Sequence, residues 1–155
     1  MKTHKLLQIV LTGLVFPVLI TTMMCTCTQQ NDSQLEGAWE MVYLKGISSD
    51  TLQYEFPGNV SGSQMKMWSI DHFIFMGRFR LDTTTQDNYG GGTYTMKDSI
   101  YKENIIYHME PDYIGQEMRI GLEIRNDTLI QTYPLAENGE IDESNYFIEK
   151  YVRLD

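Results

Sequence analysis

From Glu117 to Arg125 the chain alternates with a period of two. Met118, Ile120, Leu122 and Ile124 fall on one side, and Glu117, Arg119, Glu123 and Arg125 on the other. That period belongs to a strand with one face buried. Seven further segments read the same way: Gly37–Leu44, Gln64–Ile70, His72–Leu81, Gly91–Lys97, Ser99–Met109, Thr128–Tyr133 and Asn145–Leu154. No segment past residue 34 carries a 3.6-residue apolar stripe. Turn residues separate the strands, and Lys97-Asp98 and Asn126-Asp127 predict tight hairpins. Ile70–His72 reads as a corner or bulge. One connection is long: the nineteen residues Lys45–Ser63, rich in Gly, Ser and Pro, read as a loop lying over an open end. Eight antiparallel strands joined in sequence predict an all-β, eight-stranded antiparallel up-and-down β-barrel. Closure removes the edges that an open sheet of this size would expose. A two-sheet sandwich is the alternative.

The N-terminus reads as an export signal. Lys2 and Lys5 precede an apolar run from Leu6 to Ile20, about fifteen residues and short of the roughly 20 that span a bilayer. The two cysteines, Cys25 and Cys27, follow at once, and none lies beyond them. Residues 28–155 therefore contain neither a disulfide nor a thiolate metal site. Cysteines confined to a cleavage region point to a bacterial lipoprotein acylated at Cys25, with Cys27 the alternative. Plain secretion is the second choice for localisation, and an uncleaved membrane anchor the competing reading. The expected organisation is a lipoprotein-type signal peptide over 1–24, a polar tether over 25–34 and one β-barrel domain over 35–155. Loss of Lys2 and Lys5 takes the formal charge from −9 to −11. So acidic a domain repels phosphate backbones, which argues against nucleic acid as a partner.

Gly37-x-Trp39 on the first strand and Arg153 near the end of the last, with eight strands between, resemble the lipocalin and wider calycin pattern. Further stretches narrow the likeness: Met67-Trp68-Ser69-Ile70-Asp71-His72-Phe73-Ile74-Phe75, Gly90-Gly91-Gly92-Thr93-Tyr94-Thr95, Tyr101-x-Glu103-x-Ile105-x-Tyr107, Tyr113-Ile114-Gly115-Gln116 and Glu149-x-Tyr151-x-Arg153. They are similar to a group of secreted lipocalin-like domains of Bacteroidetes-type bacteria, often carried as lipoproteins. The resemblance covers Leu35 to Arg153. It implies a small calycin-type barrel whose closed end is plugged by Trp39, with Arg153 across the indole face, a cation–π contact of about 1–2 kcal/mol when partly desolvated.

The same alternation nominates the lumen. Trp39, Met41 and Tyr43 share a face of the first strand, Phe73, Phe75, Phe79 and Leu81 of the third, and Met118, Ile120, Leu122 and Ile124 of the sixth. Tyr101 and Glu103 share a side with Ile105 and Tyr107, and Glu149, Tyr151 and Arg153 share one with Phe147. Seven methionines in the domain suit a pocket for varied apolar shapes, and serve equally as gap-fillers. Arg, Tyr and Glu inside a barrel are costly unless they pair with each other, with water or with a ligand. Arg153 and Tyr151 together would hold a carboxylate, as in the fatty-acid-binding branch of the calycins. Alternatively Arg153 stacks on Trp39, bonds Glu149 and closes the barrel without touching ligand.

Chemistry is sparse. No Ser, Thr or Cys sits in a nucleophile motif, Gly90-Gly91-Gly92 leads into a strand and so lacks the helix N-terminus that phosphate favours, and His72 and His108 lie on different strands. No catalytic residue, cofactor or metal is expected. The expectation is an extracytoplasmic, lipid-anchored barrel that binds a small, largely apolar ligand. A solid barrel acting as an envelope adaptor is the alternative, and an envelope enzyme using Glu103 and Arg153 is a third reading.

Overall fold

In a computed structural model, residues 34–155 are described. The signal peptide, both cysteines and all of the tether except Gln34 lie outside the described residues. The domain is all-β: nine antiparallel strands in one sheet that closes on itself. They are β1 (Gly37–Ser48), β2 (Thr51–Phe56), β3 (Val60–Trp68), β4 (His72–Leu81), β5 (Thr84–Lys97), β6 (Ile100–His108), β7 (Glu117–Arg125), β8 (Thr128–Tyr133) and β9 (Asn145–Arg153). Each strand from β3 to β9 pairs with the next, and β9 returns to β1 along almost its whole length, from Trp39↔Arg153 to Ser48↔Asn145. Closure makes an eight-stranded barrel of β1 and β3–β9, with β2 as an added strip.

That strip corrects the sequence reading of Lys45–Ser63. The segment is the end of β1, a tight turn, β2 and the start of β3, rather than a loop. Ser49 and Asp50 both take left-handed backbone conformations (φ 50° and 59°), as a two-residue hairpin turn demands. β2 pairs with Leu44–Ser48, while β3 pairs with β1 only through Gly37–Glu40. One edge of β1 is thus shared in series by two strands, and the chain swings away between Phe56 and Met65. The β5 strand also begins earlier than the alternation predicts, at Thr84 instead of Gly91. The glycines inside it leave room: a Cβ on Gly90 would lie 2.6 Å from the Phe75 ring, and one on Gly92 2.0 Å from the Asn104 carbonyl oxygen.

Two single-residue bulges reset which side chains face inward. Pairing on β1 skips Val42, so Trp39 and Met41 point in, Leu44 and Gly46 take over the inner face, and Tyr43 is turned outside. There Lys150 Nζ sits 4.9 Å from the Tyr43 ring centroid. On β6 pairing skips Ile106, so Tyr107 stands outside at 70 % exposure instead of beside Ile105.

One end of the barrel is sealed. Trp39 is 1 % exposed, its Nε1 donates to the Leu35 carbonyl (2.9 Å), and the Arg153 guanidinium lies 4.3 Å from the ring centroid. Arg153 also donates to the carbonyls of Glu36 and Gln34, drawing residues 34–36 across the end. Trp68 is the hub above, edge-on to Trp39, Tyr101 and Tyr151 at 6.4–6.5 Å. Leu35, Met41, Phe73, Tyr94, Ile120, Leu122 and Leu129 complete the buried cluster. Trp39→Ala is expected to cost about 3–5 kcal/mol. Arg153→Ala should cost about 1–2 kcal/mol through the lost ring contact and carbonyl bonds. Urea unfolding checks both, and an Arg153 variant as stable as the parent would show that the seal does not need its cation.

Candidate functional site

Above the sealed end the barrel holds a polar layer, and above that it is open. The layer comes from inward positions of β3, β5, β6, β8 and β9. On β3, Gln64 and Lys66 share the inner face with Trp68, so the alternation that buries the indole also buries an amide and an amine. Lys66 is 5 % exposed, and its Nζ donates to Glu103 Oε1 (2.6 Å) and Gln131 Oε1 (3.1 Å). The rings of Trp68, Phe73, Phe75 and Tyr101 surround that ammonium at 5.2–5.9 Å from their centroids. A buried pair of this kind is tolerable only with such compensation, because each charge has lost its water. Gln131 must turn its oxygen to Lys66, which leaves its Nε2 buried without a hydrogen-bond partner.

Beside the ion pair runs a second chain of hydrogen bonds, which ends on Glu149. Asn88 Nδ2 donates to Gln64 Oε1 (2.6 Å), Gln64 Nε2 to the Tyr151 hydroxyl (2.7 Å), and that hydroxyl to Glu149 Oε2 (2.7 Å). The Tyr133 hydroxyl donates to Glu149 Oε1 (2.8 Å). Burial raises the Glu149 pKa, opposed by the Lys66 charge and the two tyrosine hydroxyls and reinforced by Glu103. Burial and the Glu149 charge push the Tyr133 and Tyr151 phenols far up, and burial with Glu103 does the same to Tyr101. The Tyr133 and Tyr151 hydroxyls donate to Glu149, whereas that of Tyr101 accepts from Trp68 Nε1 (2.8 Å).

Two adjoining cavities open above the layer and share Asn88, Tyr133, Phe147 and Glu149. One, of about 560 Å³, is floored by Gln64, Lys66, Glu103 and Ile120 and walled by Phe75, Ile105, His108, Met118 and Phe147. The other, of about 540 Å³, lies toward β2 and is lined by Met41, Leu44, Tyr54, Val60, Phe79, Leu81 and the Asp82–Thr84 turn. Their common wall is an aromatic stack, with Phe147 between Tyr54 (6.3 Å) and Tyr133 (5.4 Å). Gly46 makes the stack possible: a Cβ there would meet Phe147 at 2.7 Å and Tyr54 at 2.9 Å.

The expected lumen residues separate by level. Met41, Phe75, Glu103, Met118 and Ile120 line the cavities. Trp39, Phe73, Tyr101, Leu122 and Tyr151 are buried in the core cluster, with the Tyr151 hydroxyl reaching up into the polar layer. Tyr43 is outside the barrel. Arg153 is at the seal, and Glu149 bonds tyrosines instead of this arginine, so Arg153 and Tyr151 do not form a carboxylate clamp and Glu103 and Arg153 do not meet. The residues that sequence reasoning missed are Gln64, Lys66, Asn88, Gln131 and Tyr133. A signal existed for four of them, since Gln64 and Lys66 have the parity of Trp68, and Gln131 and Tyr133 that of Leu129. Among the described residues no three His, Cys, Asp or Glu side chains gather as metal ligands.

Fold and site together define a closed antiparallel barrel, consistent with a lipocalin-like architecture, with a sealed base and a cavity floored by buried polar groups. No family model, curated protein or solved structure matches the chain.

The raised Glu149 pKa gives a signed prediction. Its contribution to stability is fully present below the pKa of an unfolded-chain glutamate and is lost as pH rises through the folded value. Glu149→Gln removes that dependence. The melting temperature of the variant minus that of the parent should therefore climb as pH rises through this window and then level, as followed by circular dichroism in a pH series. A flat difference would mean that Glu149 titrates like an exposed carboxylate.

Proposed function

We propose that this domain is a lipocalin-like binding protein that takes a small, largely apolar ligand into the open half of its barrel. The observation that carries the reading is the division of the interior. The sealed half is filled by Trp39, Trp68, Phe73 and Tyr151, whereas the open half leaves cavities of about 540 and 560 Å³ with aromatic walls and a polar floor. Each falls within the roughly 300–1,000 Å³ of small-molecule sites, which combine apolar walls with a few placed polar groups. A solid adaptor barrel has no use for such space, and a buried, fully engaged ion pair below it is better suited to orienting a ligand than to turning one over. No cofactor enters this reading: burial of ligand surface at ~25 cal/mol per Å² supplies the affinity.

The neutral fluorescent probe N-phenyl-1-naphthylamine should bind with one site per chain. Leu44→Trp, which fills the cavity beside β2, should weaken it by about tenfold or more, 1.4 kcal/mol, with the melting temperature little changed. Failure of the parent protein to bind the probe would count against a carrier. Native mass spectrometry of protein taken from its own host would then show the bound molecule.

The proposal extends to the cell envelope, with the chain exported and held by a lipid on Cys25, or on Cys27. The support is the apolar run before the cysteines and their absence from the rest of the chain. Cys25→Ala should release the protein from membranes in a fractionation experiment. Membrane association that persists after both cysteines are replaced would end this part of the proposal.

A further inference from the structure

We infer that the ligand is an organic cation, an alkyl ammonium whose charged nitrogen sits on Glu149 and whose apolar body lies along the cavity beside β2. The inference rests on the ligand-binding reading and adds the chemistry of the headgroup.

Three observations carry it. First, among the described residues the charged ones lining this cavity are Glu149 at its base and Asp82 at its rim, with no Lys, Arg or His. Second, Glu149 is 7 % exposed, yet among the described residues no basic group stands within ion-pair distance of it. Lys66 acts on it through space, but the Lys66 ammonium is bonded to Glu103 and Gln131. The partners Glu149 does have are the Tyr133 and Tyr151 hydroxyls, one on each oxygen. A carboxylate oxygen accepts more than one hydrogen bond, so acceptor capacity is left over. A buried carboxylate without a counter-charge is costly, and an ammonium arriving from the cavity supplies both the charge and the donors. Third, the stacked rings of Tyr54, Phe147 and Tyr133 wall the site, and aromatic faces attract ammonium groups, more strongly where water is excluded.

An anionic ligand fits less well. Lys66 is the cation on the floor and is already neutralised by Glu103. A second carboxylate there would have to displace that bond and settle beside Glu103 and Glu149.

The test is a headgroup series on one tail. Octylammonium, octan-1-ol and octanoate compete with N-phenyl-1-naphthylamine for the intact domain at pH 8. Octylammonium should bind about tenfold or more tighter than octanol, 1.4 kcal/mol, and octanoate weakest. In Glu149→Gln, octylammonium should fall to the level of octanol, and octanol should be unchanged. Should that variant not fold, the parent protein still decides the matter. Ionisation of Glu149 must strengthen octylammonium binding as pH rises and leave octanol binding level. The titratable and charged groups around Glu149 are Lys66 from β3, Glu103 from β6, Tyr133 from β8 and Tyr151 from β9, while β1 presents the uncharged Leu44. Equal binding of all three compounds, or tightest binding of octanoate, overturns the cation while leaving the carrier in place. Probe binding that none of the three displaces does the same. A protein that does not bind the probe at all loses both readings.

Discussion

A strand has two edges, and β1 must satisfy three neighbours. It gives one edge to β9 and divides the other, first to β3 and then to β2. Where β3 holds it, the wall is tight and the interior fills with tryptophan and tyrosine. Past Glu40 this edge of β1 passes to β2, while β3 from Val60 to Gln64 stays paired with β4 and parts from β1. The bulge at Val42 marks the same place and reverses the inner face of the strand. A barrel solid at one end and hollow at the other follows from that division.

The polar layer lies at the boundary between these halves. Its ion pair, Lys66 with Glu103, links β3 to β6 across the lumen, while the chain from Asn88 through Gln64 and Tyr151 to Glu149 links β5, β3 and β9. Groups that lose water in this way are held by geometry more than by net energy, because desolvation offsets most of the attraction. The layer fixes how the strands sit opposite one another, and it gives the cavity a floor with direction: an ion-paired cation on one side, and on the other a carboxylate held by two tyrosine hydroxyls.

Much of the architecture was legible in the residues. Alternation locates all eight barrel strands, and the Trp39–Arg153 contact is the one that the resemblance to the calycin pattern implies. What escaped was local and small. β2 was hidden because Gly, Ser and Pro around Thr51–Phe56 read as loop, although the segment itself alternates. A bulge adds one residue and leaves no mark in composition, so Tyr43 and Tyr107 were placed on the wrong face while Trp39 and Ile105, before each bulge, were placed correctly. Lys66 was overlooked because a lysine in an alternating strand is ordinarily on the wet side. Its parity with Trp68 says otherwise, and the structure follows parity.

The stopper formed by Trp39, Arg153 and residues 34–36 shares no side chain with the cavity rim. The side chains that seal the base and those that line the cavity mouth are therefore separate parts of the molecule. Exchange at Tyr54 or Asp82 alters the lining of the cavity mouth, and a damaged stopper weakens the fold without touching that lining. A scaffold so divided can diversify at the mouth while its base stays the same.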